Sequence, residues 1–413
     1  MSDNPVRDQY EDYPYPSRDP ADEAKRLIIG SPSHMLEYNH YVFGGARDFS
    51  KPFRALCAGG GTGDGAIMMA QQLADTGGPG EVVYVDLSTA SRAIAEARAK
   101  ARGLTNISFH TMSLLDIPDA GLGPFDYINC CGVLHHLPDP PAGFRALTSV
   151  LAEDGGMGIM VYGELGRTGI YDFREIMETM YPDARGTEKI RAARKLLAAL
   201  PNTNRLLRNS FVSDHKKDDA HLHDMLLNAI DRAYLVPEIY QVTDACGLDI
   251  TAFVTPISYD PATYTEDEEL VDRFEELSYR ERCAVAELMT GNLFIHRFYA
   301  VHAGKSENAV ARICPEAIPH TFQLHSQNLA QGRYEPGKPL TFNFTGLQVQ
   351  HILPDLSGEI MGRVDGNRSL GDIHAELQAA DPDLDWETFE AIFGILFSVF
   401  NGGGALFLTM RGA

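Results

Sequence analysis

Three glycines, Gly59, Gly61 and Gly63, follow a short apolar run in FRALCAGGGTGDG, and an acid, Asp86, closes a second run in EVVYVDLS. Glycines between a strand and a helix let the main chain turn sharply and come close to a ligand. The helix that follows points its first amides into that turn. A carboxylate at the end of the next strand, 23 residues after Gly63, can accept both hydroxyls of a ribose. Turn and acid together point to an adenosine-containing ligand. The plain alternatives are a tight turn without a ligand and an Asp that only caps a helix. Gly61, Gly63 and Ala66 also satisfy the dinucleotide spacing GxGxxG/A, so these residues do not separate NAD from S-adenosylmethionine.

Further groups stand where the next strands end. Leu115 and Asp116 lie in SLLDIP, just past a third strand, and Asp116 there can accept a hydrogen bond from an adenine amino group. FDYINCCGVLHHLPDP brings Cys131, His135 and His136 to the carboxyl end of a fourth strand, the edge where open α/β sheets bind ligands. Either histidine can take a proton near neutral pH; a wall role is the alternative. Tyr162, Glu164, Arg167 and Tyr171 follow a fifth strand. Arg167 can hold a carboxylate or phosphate, or be an ordinary loop arginine. Tyr10, Tyr13 and Tyr15 stand in an N-terminal segment that is either a lid over the site or an unstructured end. His296, between Phe294 and Phe298, reads as a packed strand residue, and His221 with His223 lacks the i, i+4 spacing of a helical metal pair.

The elements that must position these groups alternate. Apolar runs FRALCA, EVVYVDLS, NISFHT, FDYINCC and GGMGIMVYGEL are strands, separated by helices in IMMAQQLADTGG, STASRAIAEARAKARG and PPAGFRALTSVLAEDG. That rhythm gives a parallel sheet with helices on both faces. Residues about 170–235 read as a helical insertion. LDITAFVT and NLFIHRFYAV supply two more strands, with a helical, acidic stretch in TEDEELVDRFEELSYRERCAVAELM between them. From about 306 the composition shifts. QVQHILPDLSG, RSLGDIHAEL and DWETFEAIFGILFSVFNGG read as helices and GALFLTM as a closing strand.

LCAGGGTGDG, VVYVDLS, SLLDIP and FDYINCCGVLHHLPDP, in this order over about 80 residues, resemble the motifs of class I S-adenosylmethionine-dependent methyltransferases. The resemblance implies a doubly wound α/β fold with a seven-stranded sheet whose last strand is antiparallel. It covers about 53–165 and 236–303. It implies Gly59, Gly61 and Gly63 against the methionine part of the cofactor, Asp86 on the ribose, Leu114 to Asp116 on the adenine, and Leu87 among the cofactor-binding residues. Cys131 falls on the same wall. Cys57 departs from the pattern, because the family places an acid two residues before the first glycine. That departure keeps a second reading open, a binding or regulatory protein that retains the fold without turnover. An NAD-dependent oxidoreductase, supported only by the GxGxxA match, is a third.

Segment 345–410 resembles small winged-helix modules, including those that recognise peptides. The expected organisation is therefore an N-terminal segment 1–52, a cofactor-binding domain 53–305 and a winged-helix-like domain 306–413. The formal charge of −22 over 413 residues argues against nucleic acid and against an anionic membrane surface. Six cysteines without a CxxC pair form neither a disulfide framework nor a zinc site, and fit a reducing cytoplasmic compartment. The N-terminus lacks the apolar core of a signal peptide. Ala391–Met410 is apolar, but Asn401 and three glycines split it, so it reads as helix, turn and strand rather than a membrane span. The expected chemistry is methyl transfer to a small molecule or peptide, with possible protein or peptide contact through the C-terminal module.

Overall fold

The computed structural model describes residues 5–322, 339–344 and 347–411. Helices α1 (Pro5–Asp12) and α2 (Met35–Val42) precede the alternating body: β1 (Phe53–Ala58), α3 (Asp64–Asp75), β2 (Gly80–Asp86), α4 (Thr89–Ala101), β3 (Ile107–Thr111), β4 (Phe125–Cys131), α5 (Pro140–Ser149) and β5 (Leu151–Gly163). The insertion holds α6 (Ile170–Met180), α7 (Gly186–Ala199), α8 (Arg205–Arg208) and α9 (Asp219–Leu226), and ends in β6 (Ala233–Tyr234). The body closes with α10 (Val236–Ala245), β7 (Leu248–Val254), α11 (Glu268–Glu275), α12 (Tyr279–Thr290) and β8 (Ile295–His302). The C-terminal part holds β9 (Ala317–Thr321), β10 (Pro339–Phe344), β11 (Leu347–Ile352), α13 (Ser357–Met361), α14 (Leu370–Gln378), α15 (Trp386–Gly402) and β12 (Leu406–Met410).

The main sheet runs β3-β2-β1-β4-β5-β8-β7. Strands β1 to β5 are parallel, and β8 is antiparallel to both neighbours. The order reverses between β1 and β4, which opens a crevice at their carboxyl ends. A short eighth strand is added beside the expected seven. Two-residue β6 pairs with Tyr162 and Gly163; β4 stops opposite Met160, which leaves that end of β5 an unpaired edge for β6 to cover.

The helical acidic stretch forms two helices, because Ser278 caps α12 and Glu281 completes a capping box. Two other expectations change. The segment QVQHIL is strand β11, hydrogen-bonded to β10, not helix. The fifth strand starts at Leu151, earlier than GGMGIM suggested. The divided apolar stretch does form a helix, α15, and a strand, β12. Among the described residues no helix is long and apolar enough to cross a membrane.

Both faces of the parallel strands are buried, as helices on both sides require. Leu56, Val83, Ile128 and Ile159 pack with Phe144 and Leu147 on one face. Ala55, Val82, Tyr84 and Tyr127 pack with α2 and α3 on the other. There Tyr127 donates to the Pro32 carbonyl at 2.5 Å, and a Cβ on Gly158 would collide with the Tyr127 hydroxyl and the Pro32 ring. Gly158→Ala should therefore cost about 1–3 kcal/mol by overpacking, read as a lower urea midpoint with an unchanged m-value.

The C-terminal part has its own core of Leu370, Ile373, Phe389, Phe393, Leu396 and Phe400. Strand β12 also joins it to the body. The Leu408 amide donates to His40 Nδ1 at 3.2 Å, the Met410 amide to the Gly45 carbonyl at 2.8 Å, and the Tyr41 hydroxyl to Asn401 at 3.2 Å. Phe407 packs into the same core as Tyr41 and Tyr299.

Candidate cofactor and acceptor site

Gly63 caps α3 with φ +103°, and Gly61 has φ +51°; a left-handed backbone of this kind favours glycine. Asp86 ends β2 and holds the turn in shape. Its Oδ2 accepts the Gly61 amide at 2.7 Å and its Oδ1 the Ser88 amide at 2.8 Å. Burial raises its carboxyl above the ordinary range, against the lowering effect of these amides. Ser88 caps α4 by accepting from the Ser91 amide.

The N-terminal segment crosses this turn. The Tyr15 carbonyl accepts from the Thr62 amide, and the Thr62 hydroxyl donates to the Pro16 carbonyl at 2.7 Å. Glu11 accepts from the Thr89 and Ala90 amides at the start of α4, a favourable place for an anion. Arg18 pairs with Asp64 at 2.6 Å, and buried Arg98 bridges Asp64 and Glu23, each at 2.7 Å. Burial works against ionising Asp64, but Arg18 and Arg98 outweigh it and hold its carboxyl below the usual range.

One cavity of about 740 Å³ lies under this segment. Its wall includes Gly59, Gly61, Asp86, Leu87, Leu115 and Cys131 at one end, and His136, Tyr162, Arg167 and Asp224 at the other. Three sequence candidates are not on that wall. Gly63 acts behind it as the helix cap. Asp116 is exposed beside Leu115. His135 is fully buried and stacked on Tyr162 at 3.8 Å, so its ring does not reach a ligand; burial pushes its pKa well below the histidine range.

His136 does line the cavity. Its Nδ1 donates to the Ile230 carbonyl at 2.6 Å, and the Asn228 amide faces its Nε2 at 3.4 Å. Burial lowers its pKa, so the ring is neutral at neutral pH. Arg167 corrects its expected role as a free anion holder. Its guanidinium pairs with Asp231 at 2.7 Å, an acid shared with Arg174, and lies 3.6 Å over the Tyr162 ring. The Tyr162 hydroxyl donates to Asp224 at 3.1 Å, and the Tyr10 hydroxyl to its other oxygen at 2.9 Å. Cys57 is buried on the cavity wall, 4.0 Å from Asn129, and burial pushes its thiol up. Among the described residues no cluster of His, Cys, Asp and Glu is arranged to hold a metal.

Residues 56–157 match a family model described as a methyltransferase domain. This stretch, about a quarter of the chain, is similar to methyltransferase domains. An uncharacterized protein of Synechococcus sp. is 29% identical over 297 residues, 70% of this chain and 69% of that protein. PKMT2 from Rickettsia typhi shares the fold, with TM-score 0.64 at 16% identity over 94% of this chain and 77% of that one. Its complex with AdoHcy superposes with TM-score 0.62 at 17% identity, covering 94% and 76%.

The residues of this stretch fit S-adenosyl-L-methionine, the cofactor that the sequence resemblance implies. The glycine turn leaves no room for side chains: a Cβ on Gly61 would stand 2.7 Å from the Tyr15 carbonyl oxygen, and one on Gly60 would strike the Tyr84 ring. Arg18 and Arg98 neutralise Asp64, and Asp231 neutralises Arg167, so Asp86 is the acid left at the glycine-turn end of the wall, which suits a ligand bearing ribose hydroxyls and a positive sulfur. Sequence reasoning missed Asp224 and the Arg18–Asp64–Arg98 network. The available signal for Asp224 was an acid between Leu222 and Leu226 in α9.

Proposed function

We propose that the protein transfers a methyl group from S-adenosylmethionine to a small-molecule or peptide acceptor by in-line displacement. The observation that carries this is the single cavity joining the glycine turn and Asp86 to the Tyr162, His136 and Asp224 wall. When bound, the cofactor supplies a methyl already activated by its positive sulfur. In this reading Asp86 holds the ribose hydroxyls, Gly59 and Gly61 admit the methionine part, and Leu87 and Leu115 flank the adenine. Residues 5–33 act as a lid that keeps water from the reacting atoms. His136, with one nitrogen committed to a carbonyl and the other facing Asn228, positions the acceptor rather than taking its proton.

The three C-terminal helices followed by β12 support a winged-helix-like reading of that module, with a protein or peptide as its partner. The acidic charge of the chain supports an absence of nucleic-acid and membrane partners. Six free cysteines support a cytoplasmic setting.

Calorimetric titration with S-adenosylmethionine, S-adenosylhomocysteine and NAD tests the proposal. Both sulfur ligands should bind and NAD should not. A folded protein that binds none of them would sink methyl transfer. Cys57, in the place of the expected acid, would then favour the non-catalytic reading.

A further inference from the structure

Asp224 is 5% exposed and faces the cavity. Each of its carboxylate oxygens accepts one phenol, Tyr10 from α1 and Tyr162 from β5. Among the described residues no Lys, Arg or His side chain forms an ion pair with it. The neighbouring arginines do not fill that role. Arg167 and Arg174 share Asp231, and Arg167 lies over the face of the Tyr162 ring. A buried carboxylate without a counter-charge is costly. Here it opens onto the space where an acceptor must lie.

The two phenols add to the same preference. Having given their protons to Asp224, the phenols have no second proton to donate and can only accept further hydrogen bonds; the Tyr10 oxygen already accepts one from the Asn228 side-chain amide at 3.4 Å, and the Tyr162 oxygen stays open to the cavity. A group with several N–H protons and a positive charge matches this cradle. An alcohol offers one proton and no charge, and a carboxylate is repelled.

We propose that the methyl acceptor is an amine, held as its ammonium form by Asp224 between the hydroxyls of Tyr10 and Tyr162. This rests on the methyl-transfer reading above. For transfer, one N–H proton passes from the ammonium to the Asp224 carboxylate. The freed nitrogen lone pair forms the N–C bond as the methyl carbon–sulfur bond breaks, and sulfur keeps that electron pair as a thioether. The product is a methylammonium, S-adenosylhomocysteine and one proton, which Asp224 releases to solvent as the product leaves. Tyr10 is contributed by the N-terminal segment and Asp224 by the insertion, so the cradle is complete only with both in place.

The test uses the full chain saturated with S-adenosylhomocysteine, titrated with alkyl- and arylalkylamines of graded length and with the matched alcohols and carboxylic acids. At least one amine should bind ten or more times more tightly than its matched alcohol. Asp224→Asn should remove that preference while leaving the affinity for S-adenosylhomocysteine within about twofold of wild type. Alcohols or acids binding as well as amines, or no amine binding to the loaded protein, overturns the proposal. Should Asp224→Asn not fold, the amine-against-alcohol comparison on the unaltered protein decides alone. Failure of S-adenosylhomocysteine itself to bind would instead overturn the reading on which the proposal rests.

Discussion

Asp86→Ala should weaken binding of S-adenosylmethionine and S-adenosylhomocysteine by about 30- to 1000-fold, on the order of 2–4 kcal/mol. The residue acts twice. In the proposed complex its carboxylate accepts the ribose hydroxyls, and hydrogen bonds to a charged group are the stronger kind. In the free protein it also ties down the Gly61 and Ser88 amides. Removing it leaves two main-chain donors unmatched at the turn that the cofactor must enter. Asp86→Asn keeps the shape and one acceptor oxygen, and should lose less than the alanine variant. Calorimetry on the three proteins gives the comparison. An alanine variant that binds within threefold of wild type would remove Asp86 from the ribose site.

Arg98→Ala should cost about 3–5 kcal/mol of folding stability, the range found when one partner of a buried ion pair is removed. Arg98 is 1% exposed and makes three strong contacts: Glu23 and Asp64 at 2.7 Å, and the Thr62 carbonyl at 2.8 Å. Glu23, 7% exposed, would keep only Arg102, and Asp64 only Arg18. Because Glu23 belongs to the N-terminal segment and Asp64 to the glycine turn, the same substitution should loosen that segment. Urea unfolding reads the first effect, and faster proteolytic cleavage before residue 35 reads the second. A change below 1 kcal/mol would mean that the network is replaced by water at little cost.

The cofactor half of the site was legible in the sequence because it is local. Gly59 to Gly63 and Asp86 lie at the ends of adjacent strands, and the alternation of strands and helices places them together. The seven strands and the antiparallel β8 followed from the resemblance, and β6 did not, since two residues carry no periodic signal. The acceptor half was less legible because it is assembled from distant segments. Tyr10 and Asp224 are 214 residues apart, and nothing in DAHLHDML marks the acid as facing a cavity. Arg167 was visible as a candidate, but its partner Asp231 is 64 residues on; only the folded chain shows that it is already neutralised. His135 and His136 were indistinguishable as neighbours, and the short helical turn they occupy sends one ring into the core and the other to the cavity.

The docking of β12 on α2 sets the order in which the chain can be completed. His40 and Leu408 are separated by 368 residues, so α2 is synthesised long before the strand that covers it. Closing so long a loop adds only a logarithmic entropy term, but the contact has to wait for its partner to be made. Domains otherwise consolidate from the N-terminal side during translation. Until β12 arrives, Tyr41 lacks Phe407 and Asn401 as neighbours, so an apolar patch at the back of the nascent sheet stays open to chaperones or to aggregation.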